Sequence, residues 1–317
     1  MDQSNLLIAG LTVVAAALIS FYTVLVIWSP ERIIPDESER KYRSKKCPTT
    51  PLPLGSIHNK GEVDLTIVIP AYNETTRLPA MFKSTMDHLS TIPNRTYEIL
   101  IVDDGSSDGT SDLALKLADE YPDSDIRVVT LRQNLGKGGT VRHGMLHGRG
   151  RRLLFADADG ASRFEDLELL WSALDEIDGG DRAAIAIGSR AHLVKTDAVV
   201  KRSLLRNILM YGLHTILRIV GVGHIRDTQC GFKLFTRKAA QQIFPYQHLP
   251  TWIFDVELLL IAKQLSIPVA EVPIEWHEVS GSKLNVVTDS LQMLRDLLIL
   301  RANLLLGRWK VAPMPEK

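Results

Sequence analysis

From residue 63 to about residue 190 the chain alternates short apolar runs with longer amphipathic ones. Leu65–Ile69, Tyr97–Val102, Ile126–Leu131, Arg152–Ala156 and Ala183–Ile187 are predicted strands. Several are apolar at nearly every position, as strands covered on both faces are. Residues 78–90, 108–120, 137–148 and 164–177 are helix-like. This alternation predicts an α/β fold: a mostly parallel sheet with helices on both faces. Ligands of such sheets sit at the carboxyl ends of the strands.

A different pattern precedes this region. Leu6 to Trp28 is uncharged and as a helix would span about 34 Å, enough for a bilayer core. A cleaved signal peptide is disfavoured: no Lys or Arg precedes the run, and it is long for a signal core. Asp2 precedes the span, whereas Arg32, Arg40, Lys41, Arg43, Lys45 and Lys46 follow it. The positive-inside rule therefore expects one transmembrane signal-anchor with the body in the cytosol. The sequons at Asn73 and Asn94 are then expected to stay unglycosylated. Residues 31–62 are polar with scattered Pro and read as a linker. The expected organisation is an anchor at 1–30, a linker at 31–62, a catalytic domain at 63–285 and an amphipathic helical segment at 286–317.

The chain has 317 residues, enough for one large domain or two ordinary ones. Its 37 basic and 37 acidic residues cancel, so no basic excess points to nucleic acid. Two distant cysteines, Cys47 and Cys230, do not make a disulfide framework and fit a reducing compartment.

Each predicted strand empties into polar, Gly-containing sequence. In order these are Pro70-Ala-Tyr72-Asn-Glu74, Asp103-Asp104-Gly-Ser, Asn134-Leu-Gly-Lys137-Gly-Gly, Asp157-Ala-Asp159-Gly and Gly188-Ser-Arg190. Side chains two apart on an extended segment point the same way. Asp157 and Asp159 can therefore converge on a hard cation, Mg²⁺ or Mn²⁺, that offsets their repulsion and holds a diphosphate. An isolated DxD is more often a solvated turn; following an apolar strand in this series it is not. Ser107 or Asp108 can cap the next helix, which leaves Asp103 and Asp104 to accept bonds from a nucleobase or ribose. NLGKGGT resembles a phosphate loop at a helix N-terminus. It is neither a Walker A motif nor GxGxxG, which weakens ATPase and NAD-enzyme readings. Lys137 either neutralises a diphosphate or is a surface lysine.

Taken together, VIPAYNE, IVDDGSSDGT, NLGKGGT and FADADGA resemble the family 2 glycosyltransferases of GT-A fold. GSRAH, RDTQCGFKLF, WIFDVELLLIA and GSKL resemble the dolichyl-phosphate β-glucosyltransferase branch, as does the single anchor. The resemblance implies inverting transfer of glucose from UDP-glucose to dolichyl phosphate at the endoplasmic reticulum membrane, for N-glycosylation. It puts Pro70, Tyr72, Glu74, Asp103, Asp104 and Lys137 around the nucleotide sugar. It puts Asp157 and Asp159 on the metal and the diphosphate.

A phosphate monoester has a second pKa near about 6, so the acceptor needs cations more than a base. Arg190, Arg202, Arg206, Arg226, Lys233 and Lys283 are candidates. Arg190 and Lys233, each inside a motif, are favoured as catalytic. Asp227 is either a base, as with hydroxyl acceptors, or orients a cation or the sugar; Asp255 and Glu257 could equally fix the local fold. Ala198 to Arg226, without acidic residues, and Leu291 to Lys310, with Trp309, are candidate membrane-interface helices. The rival readings are a GDP-mannose-dependent mannosyl relative, a DxD phosphatase and a non-catalytic membrane adaptor.

Overall fold

The computed structural model describes residues 3–31, 33–179, 182–195, 223, 225–281 and 285–311. Strands β1 (Lys41–Ser44), β2 (Cys47–Pro53), β3 (Val63–Ala71), β4 (Tyr97–Asp103), β5 (Asp125–Thr130), β6 (Gly150–Ala156), β7 (Ile185–Ser189), β8 (Phe232–Thr236) and β9 (Val269–Pro273) form one sheet. Its order is β2-β1-β5-β4-β3-β6-β8-β7-β9. The helices are α1 (Gln3–Trp28), α2 (Leu78–Ser90), α3 (Thr110–Glu120), α4 (Lys137–His147), α5 (Leu167–Asp178), α6 (Arg237–Ile243), α7 (Phe254–Gln264) and α8 (Val286–Leu305).

The five predicted strands and the four helix-like segments are all present. β5, β4, β3 and β6 make a parallel block. Antiparallel β8 lies between β6 and β7, and β7 pairs in parallel with β9. β7 therefore runs in the same sense as β6, and all five predicted strands end on one edge. Because Ala156 pairs with Phe232, β8 begins where β6 ends. That register brings the turn before β8 beside Asp157.

Alternate residues feed two cores, one per sheet face. Val68, Leu100, Val129, Leu153 and Phe155 pack with α4, α6 and α7. Ile67, Ile99, Ile101, Ile126 and Leu154 pack with α2, α3 and α5.

Residues 31–62, expected as a linker, are part of the body. β1 and β2 form an antiparallel hairpin, and β1 joins β5 through Arg43 opposite Val128. Ile57 is buried and its N–H donates to Leu146 O at 2.7 Å. The signal was hidden because β2 is an almost fully exposed edge strand carrying three prolines. The expected C-terminal segment also packs on the body: Leu297 and Leu300 of α8 are buried, while Leu291, Leu298 and Leu305 are exposed. Trp309, expected at a headgroup layer, is instead buried and stacked on His248 with centroids 4.1 Å apart. The helix read over Ala198–Arg226, and with it Arg202 and Arg206, lies almost wholly outside the described residues, as does Lys283. Among the described residues α1 alone is long and apolar enough to cross a membrane. Both cysteines are free.

α4 also carries a buried imidazole. His143 Nε2 lies 2.8 Å from Glu39 O, so that nitrogen holds the proton and donates. Nδ1 is buried with no hydrogen-bond partner. Burial, and then the adjacent His147, hold the His143 pKa down to about 3 from 6.5. Between those values the unfolded chain takes up a proton that the folded protein refuses. Stability therefore falls as pH falls through this window, by up to about 1.4 kcal/mol per pH unit. The unfolding midpoint of the detergent-solubilised chain should drop from pH 7 to pH 5, and His143→Gln should flatten that slope. A slope unchanged by the substitution would place the loss in other groups.

Candidate active site

β6 ends at Ala156, and the chain turns through Asp157-Ala158-Asp159-Gly160. The Asp157 N–H donates to Gly231 O at 3.2 Å. A Cβ on Gly231 would fall on the Asp157 carboxylate, so only glycine lets the turn before β8 back this side chain. The Lys137 ammonium lies 2.8 Å from each Asp157 oxygen but hydrogen-bonds to Oδ2. Oδ1 stays buried without a hydrogen-bond partner. Asp159 accepts the Ala161 N–H at 3.0 Å. Burial first, and then the charge of Asp157, push the Asp159 carboxyl up. Both aspartates line a cleft of about 530 Å³ with Arg77, Met81, Ser162 and His277.

A buried carboxylate oxygen that accepts no hydrogen bond, and a neighbouring carboxyl whose ionisation that charge opposes, are what a hard divalent cation would satisfy. The two side chains are oxygen donors only, which fits Mg²⁺ or Mn²⁺. Among the described residues no cluster of three His, Cys, Asp or Glu forms a protein cage. A cation held by this pair alone would leave room for water and phosphate oxygens.

The neighbouring loops place cations around this pair. Asp104 accepts the N–H groups of Leu135 and Gly136 at 2.7 and 3.0 Å and so clamps the loop that opens α4. Gly136 has φ of 82°, and a Cβ there would strike Pro250 O at 2.6 Å. The result is Lys137 at the first position of α4, facing Asp157. Burial disfavours its charge, but Asp157 and Asp255 overcome that and raise its pKa. Lys137 is therefore held against Asp157 and is not a surface lysine.

Arg77 is a site residue that sequence reasoning missed. Glu74 holds it through two bonds, 2.7 Å to Nε and 2.5 Å to Nη2, and its Nη1 lies 3.9 Å from Asp159. The Glu74-x-x-Arg77 spacing at a helix start was the available signal. Glu74 thus orients a cation, and Asp103 is spent locally on the Ser106 N–H and the Ser111 hydroxyl. The N-cap position of α3 is Gly109, in the left-handed region and without a side-chain cap, rather than Ser107 or Asp108; Asp108, one residue earlier, accepts the Thr110 N–H at 3.0 Å. Tyr72 is 39% exposed beside the same loop, and Pro70 lies within β3 opposite Val102.

β7 delivers Arg190. Asp227 takes its Nε at 2.7 Å and its Nη2 at 2.9 Å. Glu271 of β9 fixes Asp227 in turn, accepting its N–H at 3.0 Å. Burial alone would raise the Asp227 pKa, yet the Arg190 bonds hold it below the usual range. A carboxylate whose two oxygens both serve a guanidinium orients that cation and makes a poor base.

Lys233, expected to meet the acceptor phosphate, does not reach the cleft. It is fully buried in β8, where its ammonium donates to Asp255 at 2.6 Å and to Cys230 O. It secures the Cys230–Gly231 turn behind Asp157. Burial pushes the Asp255 carboxyl up against the opposing pull of Lys233 and Lys137. Two acidic residues in the mostly apolar run Phe254–Ala262 of α7, Asp255 and Glu257, were the sequence signal for buried partners.

A sequence model of the family described as Glycosyl transferase family 2 matches residues 66–244. The chain belongs to glycosyl transferase family 2. It is 43% identical to a dolichyl-phosphate beta-glucosyltransferase of Saccharomyces cerevisiae, over 94% of each chain. It is 42% identical to the Homo sapiens protein of that name, over 98% of this chain and 96% of the other. Glucosyl-3-phosphoglycerate synthase of Mycobacterium tuberculosis, solved with Mn²⁺, UDP and glucosyl-3-phosphoglycerate, is similar in fold. The TM-score is 0.51 at 18% identity, covering 76% of this chain and 80% of that one. Family 2 membership removes the phosphatase and adaptor readings.

Gly231→Ala should push the Asp157 carboxylate aside. Displacement of about 1 Å can cost about 100-fold in rate, so sugar transfer should fall on that scale with little change in unfolding midpoint. Normal transfer by the variant would contradict the role given to this turn. Asp255→Asn strands the Lys233 charge and should cost about 3–5 kcal/mol in denaturant unfolding, more than Lys233→Met with Asp255→Leu. The reverse order would mean the pair is not the buried unit described.

Proposed function

We propose that this chain transfers glucose, with inversion, from UDP-glucose to dolichyl phosphate at the cytosolic face of the endoplasmic reticulum membrane, with α1 as anchor. One observation carries the reading: an Asp157–Asp159 pair lining one cleft, faced by Lys137 and Arg77 at the strand ends. The relatives' shared name supplies the acceptor and the sugar. The mycobacterial synthase of similar fold was solved with Mn²⁺ and UDP, which is in keeping with a nucleotide diphosphate and a divalent cation as ligands.

Asp157 and Asp159 would hold Mg²⁺ or Mn²⁺, which neutralises charge on the departing diphosphate. Lys137 and Arg77 add fixed positive charge on that side, Arg77 held by Glu74 of its own loop and Lys137 by the loop that Asp104 clamps. Arg190, bound to Asp227 through Nε and Nη2, presents its remaining edge to the acceptor phosphate. A phosphate oxygen attacks the anomeric carbon, and the bond from that carbon to UDP breaks with its electron pair leaving on UDP. A dianionic acceptor brings no proton to remove, so Asp227 keeps Arg190 in place and abstracts nothing.

Membranes carrying the chain should move label from UDP-glucose, and not from GDP-mannose, to dolichyl phosphate when Mg²⁺ or Mn²⁺ is added. Asp159→Ala should lower that rate by about 100-fold or more. Transfer from GDP-mannose would keep the chemistry and overturn the sugar. The exposed Asn94 should carry no N-glycan when the chain is expressed in cells; a glycan there would invert the topology.

A further inference from the structure

Where α1 ends, it meets the end of α8. Asn303 Nδ2 donates to Ser29 Oγ at 2.9 Å, and Arg308 Nη1 donates to the same oxygen at 3.3 Å. The Arg308 guanidinium lies 5.6 Å from the centre of the Tyr22 ring on α1. Next to it stands a second pocket, of about 430 Å³, lined by Ile33, Arg142, Tyr246, His248, Arg308 and Lys310 among others. It shares no lining residue with the Asp157–Asp159 cleft.

Among the described residues three permanent cations line this pocket and no carboxylate does. Two of them are not on a loose tail. Trp309 between them is buried, its ring stacked on His248 within 3° of parallel. His248 is held in turn by Glu257, 3.0 Å from Nδ1. Lys310 is exposed, and among the described residues no ion pair engages it. Leu305 and Leu306, at 71% and 51% exposure, and Ile27 and Trp28 at the end of α1 are exposed apolar residues.

We propose that this pocket binds the phosphate headgroup of an anionic membrane phospholipid, separate from the acceptor, and so sets the body against the bilayer surface. The inference rests on α1 being a membrane anchor. The end of a spanning helix lies at headgroup level, and the pocket is fastened to that end through Ser29. Its charge is complementary to a phosphate, and guanidinium groups present a planar fork to phosphate oxygens. Basic residues at a membrane surface draw anionic lipid while neutral lipid gains nothing from them.

The test is native mass spectrometry of the full chain in detergent, offered equal amounts of phosphatidylinositol and phosphatidylcholine. The expected result is one phosphatidylinositol retained in preference to phosphatidylcholine. Lys310→Gln should reduce that retention about fivefold. Arg142→Gln added to it should reduce retention further, while Lys41→Gln, on β1, should leave it unchanged. Equal retention of both lipids, or retention unaltered in the two pocket variants, would overturn the proposal. Displacement of the lipid by excess inorganic phosphate would also overturn it, assigning the pocket to free phosphate. Alkaline carbonate extraction of membranes separates the two possible failures. A chain that is washed off has no anchor, and the pocket proposal falls with it. A chain that stays with the bilayer but shows no lipid preference loses only the headgroup site.

Discussion

Two carboxylates one residue apart, drawn out of water at the end of a buried strand, repel each other. The candidate site is built around that repulsion. The Asp157 carboxylate occupies the space that Gly231, having no side chain, leaves open behind it. Asp159 is partly desolvated and its ionisation is opposed by Asp157. Positive charge must therefore be supplied, and it must be held still, because a mobile cation would reorganise as substrate charge develops.

Each cation at this edge is held by a carboxylate or by backbone that a carboxylate fixes. Glu74 orients Arg77, Asp227 orients Arg190, and Asp104 clamps the loop that presents Lys137. Beneath them Asp255 pairs with Lys233 and holds the turn that backs Asp157. The acidic residues that looked like nucleotide ligands divide into two kinds. Asp157 and Asp159 face the cleft, whereas Glu74, Asp103 and Asp104 accept bonds from the protein's own loops. Orientation of cations by a surrounding set of anions also explains how a chain of zero net charge can receive two anionic substrates. At physiological salt, charges separated by more than about 8 Å are screened, so local arrangement decides the binding and overall charge does not.

The parallel block was legible because both of its faces are covered. Strands buried on two sides must be apolar throughout, and the loops at their ends carry what cannot be buried. β1 and β2 were not legible, since an exposed edge strand has no apolar constraint and three prolines disguise it. Lys233 was misread for a physical reason as well. A lysine inside an apolar strand is stable only with a partner, and Asp255 comes from a helix 22 residues away. Arg77 was missed because its significance lies in its approach to Asp159, which only the folded sheet edge creates.

The same logic separates the two basic sites described. Arg77, Lys137 and Arg190 are partly buried, and carboxylates contact or closely flank each of them; charges held this way are positioned for chemistry at one point. Arg308 is bonded to neutral groups, Asn303 and Ser29, and stacks near Tyr22. Lys310 is exposed. Cations left uncompensated at a protein surface are tolerated where water or an external anion balances them. A site that must turn substrate over benefits from pairing, because departing product does not then leave bare charge behind. A site that only holds a membrane component has no such demand, and leaving its charge open costs little in water and favours the anionic surface when the bilayer is near.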